Sequence, residues 1–443
     1  MDETLHSVGL DVGTTTTQLV ISQLQIQNQA SGFSVPQMAI TQRKILYRSG
    51  VYFTPLVGEN LVDGAAIRAI VDAEYEKAGV KREDLDTGAV IITGETSRKE
   101  NARAVLENLS EFAGDFVVAT AGPDLESVLA AKGAGAVDFS EATGKTVLHM
   151  DIGGGTSNLA LIKDGKIMAT GCMNVGGRLL KFDEKGNVIY RSPVLEDFQQ
   201  PPGEIVEILA QALEMAAGLR QPNELFQHFW TEESGSSEAW MKSLPEETMV
   251  ISFSGGVADC IETQQEDLAF GDIGPMLGRA IRKSRLCAGA YRLGDQTIRA
   301  TVIGAGCHSA QLSGSTVFYR NVAFPLKNLP VLRITDPSQI PRRLEMQDVT
   351  PVIAMTGIES PNYGQVVTLA EQIVTGVGDG PVYVALEQDM AKALGQAIAL
   401  RLPKDRPCLC IDNVHLEEGS FLDVAAPVGP ALPVVIKTLI LGG

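Results

Sequence analysis

The stretch Asp151-Ile152-Gly153-Gly154-Gly155-Thr156-Ser157-Asn158 decides the fold class of this chain. It follows the apolar run 147–150 and precedes the apolar run 159–162, which predicts a glycine-rich turn between two buried strands. Glycines lack Cβ atoms, so the backbone N–H groups of such a turn can converge on an anion, usually phosphate. Because the aspartate would face the same anion, the pattern also predicts a bridging cation, Mg²⁺.

The same pattern occurs near the start of the chain. Asp11-Val12-Gly13-Thr14-Thr15-Thr16-Thr17-Gln18-Leu19-Val20-Ile21 aligns without gaps on residues 151–161 and shares Asp, Gly, Thr and Leu at four positions. An internal repeat of this kind predicts two related lobes. Two matched turns also favour a phosphate site far more than one glycine-rich turn would.

Length and composition restrict the class of protein. The 443 residues are enough for about three domains, and 44% hydrophobic with 20% charged residues is typical of a globular protein. The net charge of −18 argues against nucleic-acid or anionic-membrane partners. The acidic start Met1-Asp2-Glu3-Thr4 does not resemble a secretory signal, and no run of 18 apolar residues follows, so we expect an unsecreted, soluble protein.

The six cysteines, at 172, 260, 287, 307, 408 and 410, lie mostly in apolar segments. This distribution predicts reduced, buried thiols. Strand alternation would send Cys408 and Cys410 to the same face. No second pair has ligand spacing, so we expect no metal or cluster role for the cysteines.

Hydrophobic periodicity and turn residues predict the elements of the first half of the chain. Asp124 is expected to cap a helix at 125–132, and residues 28–60 are expected to form a peripheral insertion. The other predictions are a hairpin of Ser7–Leu10 with Gln18–Ser22, a helix at 63–77, strands at 88–93 and 116–119, and a loop at 94–101 that leads into a helix ending near 109.

The second half predicts a hairpin at Asp164-Gly165, a loop-like segment at 171–203 and a helix at 204–219. Residues 220–247, with Trp230 and Trp240, are predicted to form a surface excursion. Further expectations are a strand at 249–253 closed by Ser254-Gly255-Gly256, a strand at 298–303 and a small-residue helix at 304–314. Beyond residue 315, strands at 352–355, 382–386 and 408–412 alternate with helices at 365–375 and 390–402.

Five signatures in this order resemble the actin-like ATPase superfamily. They are a first phosphate turn (Asp11–Thr17), a first connecting helix (Glu126–Gly135), a second phosphate turn (Asp151–Ser157), an adenosine turn (Ser254–Val257) and a second connecting helix (Gly304–Gly314). The resemblance implies an α/β fold with duplicated ribonuclease H-like lobes. The expected divisions are lobe I at 1–145, with a peripheral insertion at about 28–85, lobe II at 146–314, and an added α/β region at 315–443.

Within that superfamily, the motif sequences of this chain are similar to those of the ethanolamine ammonia-lyase reactivating factors. The matching stretches are Gly9–Leu19, Ile91–Asn101, His149–Asn158, Ile251–Val257 and Leu422–Leu441. Membership would imply a chaperone-like ATPase that removes damaged cobalamin from the adenosylcobalamin-dependent lyase, so that intact coenzyme can rebind. The lyase is then the expected partner and the cytoplasm the expected location. A homo-oligomer and association with a bacterial microcompartment are compatible with this interpretation.

The resemblance also implies residue roles. Asp11 and Asp151 would hold Mg²⁺, and Glu126 would lie near the metal and the attacking water. Ser127 stands where related chaperones carry a proline, so an ordinary first-turn helix carboxylate is the alternative interpretation of Glu126. The implied phosphate ligands are Gly13, Thr14, Thr15, Gly153, Gly154, Gly155 and Thr156, and the implied adenosine ligands are Ser254, Gly255 and Gly256.

Other functions fit the same fold. A small-molecule kinase is the chief alternative, although no acceptor pocket with a carboxylate base can be named from the sequence. A nucleotide-switched scaffold is a third class. An electron-donating activator of acyl-CoA dehydratases would need cluster-ligating cysteines, for which no convincing pair exists. The chain also lacks an Asp-x-His-x-x-Gly cobalamin signature, so we expect no histidine ligand to a corrin ring.

Overall fold

We describe the fold from a computed structural model of the chain. The structure describes residues 3–13, 15–28, 38–57, 61–93, 117–120, 122–245, 249–308, 310–313, 316–345, 349–416, 418, 420–427 and 432–438. The predicted loop at 94–101 and the helix ending near 109 lie outside these residues. Within the described part of the chain, no helix is long and apolar enough to cross a membrane.

Lobe I contains a mixed sheet with the strand order β3-β2-β1-β7-β8. Its strands are β1 (Glu3–Val12), β2 (Thr16–Asn28), β3 (Met38–Arg48), β4 (Tyr52–Phe53), β5 (Leu56–Val57), β6 (Leu61–Val62), β7 (Thr87–Ile92) and β8 (Val117–Thr120). Helix α1 (Gly64–Ala78) begins at the predicted position, where the Asp63 carboxylate accepts a hydrogen bond from the Ala66 N–H. β1, β2 and β3 pair antiparallel, whereas β1, β7 and β8 pair parallel.

Lobe II repeats this topology with the order β11-β10-β9-β14-β15. Its strands are β9 (Val147–Ile152), β10 (Ser157–Lys163), β11 (Lys166–Met173), β12 (Leu180–Phe182), β13 (Val188–Arg191), β14 (Val250–Ser254) and β15 (Tyr291–Leu293). β9, β10 and β11 pair antiparallel, and β9, β14 and β15 pair parallel. Two copies of one five-strand topology confirm the duplicated ribonuclease H-like lobes of the actin-like fold.

Two helices lie between β8 and β9: α2 (Pro123–Gly133) and α3 (Ala136–Thr143). Lobe II adds α4 (Pro202–Ala216), α5 (Glu224–Phe229), α6 (Ser237–Ser243), α7 (Asp259–Glu262), α8 (Gly274–Lys283) and α9 (Ala300–His308). Helix α2 packs on the lobe II sheet, whereas α9 returns to pack on β1, β2 and β7 of lobe I. These two helices therefore join the lobes and cross each other.

The crossing of α2 and α9 is a backbone-to-backbone contact. A Cβ atom added to Gly304 would lie 2.1 Å from the Leu129 carbonyl oxygen, and one on Gly133 would lie 1.9 Å from that of Ala300. The small residues of both predicted connecting helices thus serve a close crossing. The prediction of a strand at 298–303 was wrong, and the helix ends at His308, six residues before the predicted Gly314. Burial on all sides, from Ala300 to Cys307, hid the helical period.

The C-terminal region contains an eight-stranded sheet of order β16-β23-β22-β18-β19-β20-β21-β17. Its strands are β16 (Ala310–Leu312), β17 (Phe318–Arg320), β18 (Leu326–Arg333), β19 (Val352–Met355), β20 (Val382–Leu386), β21 (Cys408–Ile411), β22 (Ser420–Val424) and β23 (Pro433–Thr438). Its helices are α10 (Ile340–Leu344), α11 (Tyr363–Val377) and α12 (Ala391–Ala399). The predicted alternation of strands and helices is confirmed. Cys408 and Cys410 share the helix-covered core, as expected, whereas Leu409 faces the opposite core.

The C-terminal region packs on lobe I through its last strand. Val435 on β23 is 4% exposed and belongs to a cluster with Leu5, Leu24 and Leu129. The predicted boundary of the C-terminal region is residue 315, yet β16 precedes that residue and pairs with β23 of the C-terminal sheet. The division of the chain into three parts stays a prediction.

Four local predictions were wrong. Residues 38–48, expected in a peripheral insertion, form the third strand of the lobe I sheet. Trp230 and Trp240 are 6% and 3% exposed, because they pack between α4 and β11 rather than on a surface excursion. Asp124 does not cap α2; the helix begins at Pro123 after Gly122, and the Asp124 carboxylate accepts a 2.6 Å hydrogen bond from Thr170. The loop-like segment 171–203 contains the hairpin of β12 and β13.

Candidate nucleotide site between the lobes

The two glycine-rich turns have the same local structure. In the first, the Gly13 N–H donates to the Thr16 carbonyl over 2.9 Å; in the second, the Gly153 N–H donates to the Thr156 carbonyl, also over 2.9 Å. The sequence repeat is thus a repeat of backbone hydrogen bonding. The predicted phosphate ligand Thr14 lies outside the described residues.

Both turns open into one cavity of about 370 Å³ between the lobes. This volume is in the range of small-molecule and cofactor sites. The predicted site residues that line it are Asp11, Gly13, Thr15, Glu126, Asp151, Gly153, Gly154, Gly155, Thr156, Gly255 and Gly256. Ser254 does not line the cavity but donates a hydrogen bond to Asp151 from behind. The fold therefore brings together residues that are up to 245 positions apart in the chain, from Asp11 to Gly256.

The two aspartates lie near the ends of corresponding strands, β1 and β9. The pKa of Asp11 is raised to about 7, chiefly by burial. The 2.9 Å hydrogen bond from Thr93 lowers this pKa, whereas the nearby charge of Asp151 raises it. Burial likewise raises the pKa of Asp151 to about 6, against hydrogen bonds from Ser254 and Thr301. Two carboxylates that are costly to ionise without a counter-charge suit a divalent cation.

A chain of hydrogen bonds runs behind Asp151. The Ser254 hydroxyl donates to the Asp151 carboxylate, so it accepts from His149 Nε2 over 2.9 Å. His149 Nδ1 then accepts from the Ser252 hydroxyl over 3.1 Å. His149 is fully buried, and burial lowers its pKa to about 3, so the ring is neutral. These alternate residues of β9 and β14 hold the Asp151 carboxylate in one orientation.

The turn glycines leave room for an anion. A Cβ atom on Gly154 would lie 2.3 Å from Thr15 Oγ1, which places the two turns in direct opposition. Thr15 Oγ1 is buried and has no hydrogen-bond partner among the described residues. Because an unpaired buried hydroxyl is costly, a ligand oxygen is the expected partner.

The predicted adenosine turn lines another part of the cavity. Gly255 has φ of +85°, and its N–H donates to the Thr297 carbonyl over 3.1 Å, so a side chain there would be strained and would meet Ile152. Val257, Ile298 and the 53% exposed ring of Phe270 complete this end. Such bare backbone with apolar neighbours suits the faces of a nucleoside.

Glu126 lies in the first turn of α2 and lines the cavity. The next residue, Ser127, is buried, and its hydroxyl donates to the Pro123 carbonyl over 2.8 Å. The serine that replaces the usual proline therefore fits an intact first helical turn. The role of Glu126 near a metal stays a prediction.

Three site residues were missed at the level of sequence. Thr93 and Thr301 donate to Asp11 and Asp151, and Arg178 lines the cavity beside Gly154. Arg178 follows Gly176-Gly177, a third glycine pair after a strand, and that pattern could have marked it. The described residues include no cluster of three or more His, Cys, Asp or Glu at metal-binding distance, so Mg²⁺ would depend on phosphate and water oxygens besides the aspartates.

Comparison with known proteins covers the whole chain. A family model described as "Ethanolamine utilisation protein EutA" matches residues 3–442. A protein of Salmonella typhimurium named "Ethanolamine ammonia-lyase reactivase EutA" is 38% identical over 459 aligned positions, which cover 98% of each chain. The protein of the same name from Escherichia coli is 37% identical, again over 98% of each chain.

Solved structures show weaker likeness. A Ppx/GppA enzyme of Aquifex aeolicus is 13% identical, with a TM-score of 0.42, and the match covers 68% of this chain and 99% of that one. The ethanolamine utilization protein EutJ of Carboxydothermus hydrogenoformans is 16% identical, with a TM-score of 0.35, over 68% and 89% of the two chains. Similarity at this level carries no conclusion about ligand or function.

Proposed function

Because the chain belongs to the ethanolamine utilisation protein EutA family, we propose that it is a reactivating factor for ethanolamine ammonia-lyase. The observation that carries this proposal is the relationship over 98% of the chain to two proteins named as reactivases of that enzyme. The factor releases damaged cobalamin from the lyase, and intact adenosylcobalamin then rebinds. The small-molecule kinase is not favoured, since neither relative bears such a name.

We further propose that the cavity between the lobes binds ATP with Mg²⁺. The phosphates lie between the two turns, against Gly13, Thr14 and Thr15 on one side and residues 153–156 on the other. The nucleoside lies against Gly255 and Gly256. The unpaired Thr15 hydroxyl, the paired glycine turns and the cavity volume support this assignment.

In this proposal Asp11 and Asp151 hold Mg²⁺, largely through water. The cation would neutralise phosphate charge and lower the barrier to phosphoryl transfer. The chain's own part is orientation: Thr93 fixes Asp11, while Ser254 and Thr301 fix Asp151. Both aspartates are then presented to the cavity by hydrogen bonds formed before any ligand arrives.

Glu126 is proposed to orient the water that attacks the terminal phosphate. If so, Glu126→Gln lowers the hydrolysis rate by at least about tenfold but changes nucleotide affinity little, because the amide cannot accept a proton. Single-turnover hydrolysis and equilibrium binding measured on the same preparation separate the two effects. Unchanged rate and affinity would leave Glu126 as a helix carboxylate only.

The crossed helices α2 and α9 provide a route from nucleotide to partner. Each helix packs on the sheet of the lobe opposite to the one it leaves, and the crossing has no space for side chains. A change in lobe closure would therefore move the two helices together. To perform work on the lyase, the ATP and ADP states must differ in affinity for it.

The decisive experiment uses ethanolamine ammonia-lyase inactivated with bound cyanocobalamin. The purified full-length chain should restore activity only when ATP, Mg²⁺ and free adenosylcobalamin are all present. With a non-hydrolysable ATP analogue, the chain should bind the lyase but should not restore its activity. The affinity of the chain for the immobilised lyase should differ between the ATP and ADP states.

Two further outcomes bear on the proposal. No restored activity under the full conditions, together with ATP-dependent phosphorylation of a small alcohol or acid, would establish the kinase instead. Restored activity without nucleotide would separate the reactivase from the ATP site. Cytoplasmic location, homo-oligomerisation and microcompartment association belong to the proposal and are checked by fractionation and sedimentation.

A further inference from the structure

The cavity between the lobes is strongly acidic for a nucleotide site. Five carboxylates line it: Asp11, Glu126, Asp151, Asp259 and Asp272. Among the described lining residues, Arg178 is the only lysine or arginine. A nucleotide triphosphate adds about four negative charges, and one divalent cation offsets only two of these. The remaining demand for positive charge at the cavity wall therefore falls on Arg178.

The backbone of Arg178 is attached to the second phosphate turn. The Gly177 N–H donates to the Gly153 carbonyl over 2.9 Å, and the Arg178 N–H donates to the Gly154 carbonyl over 2.7 Å. Because the attachment is made to the turn itself, Arg178 keeps its position relative to any anion bound there.

The side chain of Arg178 is held by one aromatic ring and one carboxylate. Its guanidinium carbon lies 5.4 Å from the centroid of the Phe53 ring, a cation–π contact. Its Nε lies 3.4 Å from Asp272 Oδ2, yet this buried N–H forms no hydrogen bond with a described residue. A guanidinium that lines the cavity and is fixed by a ring and a carboxylate is preorganised for an anionic acceptor.

A second, smaller cavity of about 30 Å³ shows which part of the site Arg178 serves. It shares Thr15, Gly154, Gly155 and Arg178 with the main cavity, whereas its other cation, Lys181, lines only the smaller one. None of the adenosine-turn residues lines the smaller cavity. Arg178 therefore lies at the phosphate end, away from Gly255 and Gly256. The unpaired hydroxyl of Thr15 faces the same end.

We propose that Arg178 binds the terminal phosphate of ATP and thereby distinguishes ATP from ADP. This inference rests on the nucleotide site proposed above. The residue is assigned to ligand recognition, through charge-assisted hydrogen bonds that the ADP state lacks. It makes the ATP-bound state chemically distinct at a point attached to the second phosphate turn.

The test measures binding of three ligands by calorimetry in the presence of Mg²⁺: the non-hydrolysable imido analogue of ATP, ADP, and adenosine. Arg178→Ala should weaken binding of the analogue about 10- to 100-fold, ADP by less than about threefold, and adenosine not at all. Arg178→Lys keeps the charge without the planar fork and should be intermediate. Lys185→Ala, at an exposed turn, removes one positive charge elsewhere and should leave all three affinities unchanged.

Equal weakening of the analogue and ADP would overturn the assignment to the terminal phosphate. Unchanged affinity for the analogue in both Arg178 variants would overturn any phosphate contact. If the wild-type chain binds none of the three ligands, the nucleotide site itself fails, and that result is visible before any variant is compared. Circular dichroism of each variant verifies that it is folded.

Discussion

At the scale of single residues, the site is a set of buried groups whose preferences conflict until a ligand is present. Asp11 and Asp151 are expensive to ionise in the cleft, and Thr15 has no partner among the described residues. Arg178 has an unused donor beside them. A magnesium-bound polyphosphate would satisfy all of these groups at once, which is the physical basis for the proposal that the cavity binds a nucleotide.

Replacing Asp11 or Asp151 with Asn keeps the size of the side chain and removes its charge. If each carboxylate stabilises the metal by a few kcal/mol, as proposed, ATP turnover should fall by about tenfold to a thousandfold. Phosphate release measures this directly. Glu184→Gln, an exposed loop carboxylate, is the matched control.

Asp11→Asn should not lower the stability of the chain, although it should lower turnover. The pKa of Asp11 is raised to about 7 in the folded chain from an ordinary 3.8, so ionisation opposes folding as pH rises through that interval. At pH 8 without Mg²⁺, the melting temperature of Asp11→Asn should be no lower than that of the wild type.

For the turnover prediction, wild-type turnover in both Asp11→Asn and Asp151→Asn would contradict the metal role of the aspartates.

His149 predicts a dependence of stability on pH. Its folded pKa is lowered to about 3 from 6.5, so the unfolded chain takes up a proton below pH 6.5 that the folded chain does not. The free energy of unfolding should therefore fall by up to about 1.4 kcal/mol per pH unit between pH 5.5 and 4 from this group alone. Urea unfolding at several pH values, compared with His149→Gln, isolates the effect; equal slopes in the two proteins would exclude it.

At the scale of elements, the crossing of α2 and α9 is the most constrained contact. We expect Gly304→Ala to destabilise the chain by at least about 2 kcal/mol, since its Cβ would lie 2.1 Å from the Leu129 carbonyl oxygen. Gly203→Ala, in α4, is the control: its Cβ would meet only the flexible end of Met276 at 4.0 Å, so alanine should be neutral or stabilising. Denaturant unfolding of both variants checks the contrast, and equal stabilities would argue against a close crossing.

At the scale of the whole molecule, the C-terminal region is continuous with lobe I through β16 and β23. Deletion of residues 315–443 would therefore expose part of the lobe I core, in addition to removing a region that could couple nucleotide to partner. A truncation that is insoluble would be explained by this packing. A point substitution is a cleaner test of the contact.

Val435→Asp places a charge in the cluster between β23 and lobe I. We expect a loss of several kcal/mol in stability and a lower yield of soluble protein, because a buried unpaired carboxylate is strongly disfavoured. Tyr363→Asp, at a site 82% exposed on α11, should behave as the wild type. Thermal melting of the two variants makes the comparison, and a wild-type melting temperature for Val435→Asp would place β23 away from lobe I.

The sequence by itself determined the features that depend on local backbone chemistry. Both glycine turns, their flanking strands, the helix at 63–77 and the C-terminal alternation of strands and helices follow from residue spacing and turn propensity. The family resemblance also followed from short motifs in order. These signals are local, so they survive in a single sequence.

Only the tertiary structure decided features that depend on distant packing. Thr301, Val302 and Ile303 have strand propensity but form a helix, because α9 is buried on every side between α2 and the lobe I sheet. Trp230 and Trp240 lie in a polar stretch yet are buried against residues that the chain supplies elsewhere. Arg178 enters the cleft because its loop binds the turn at 153–154. Such contacts join segments far apart in the chain, and their energy outweighs local preference.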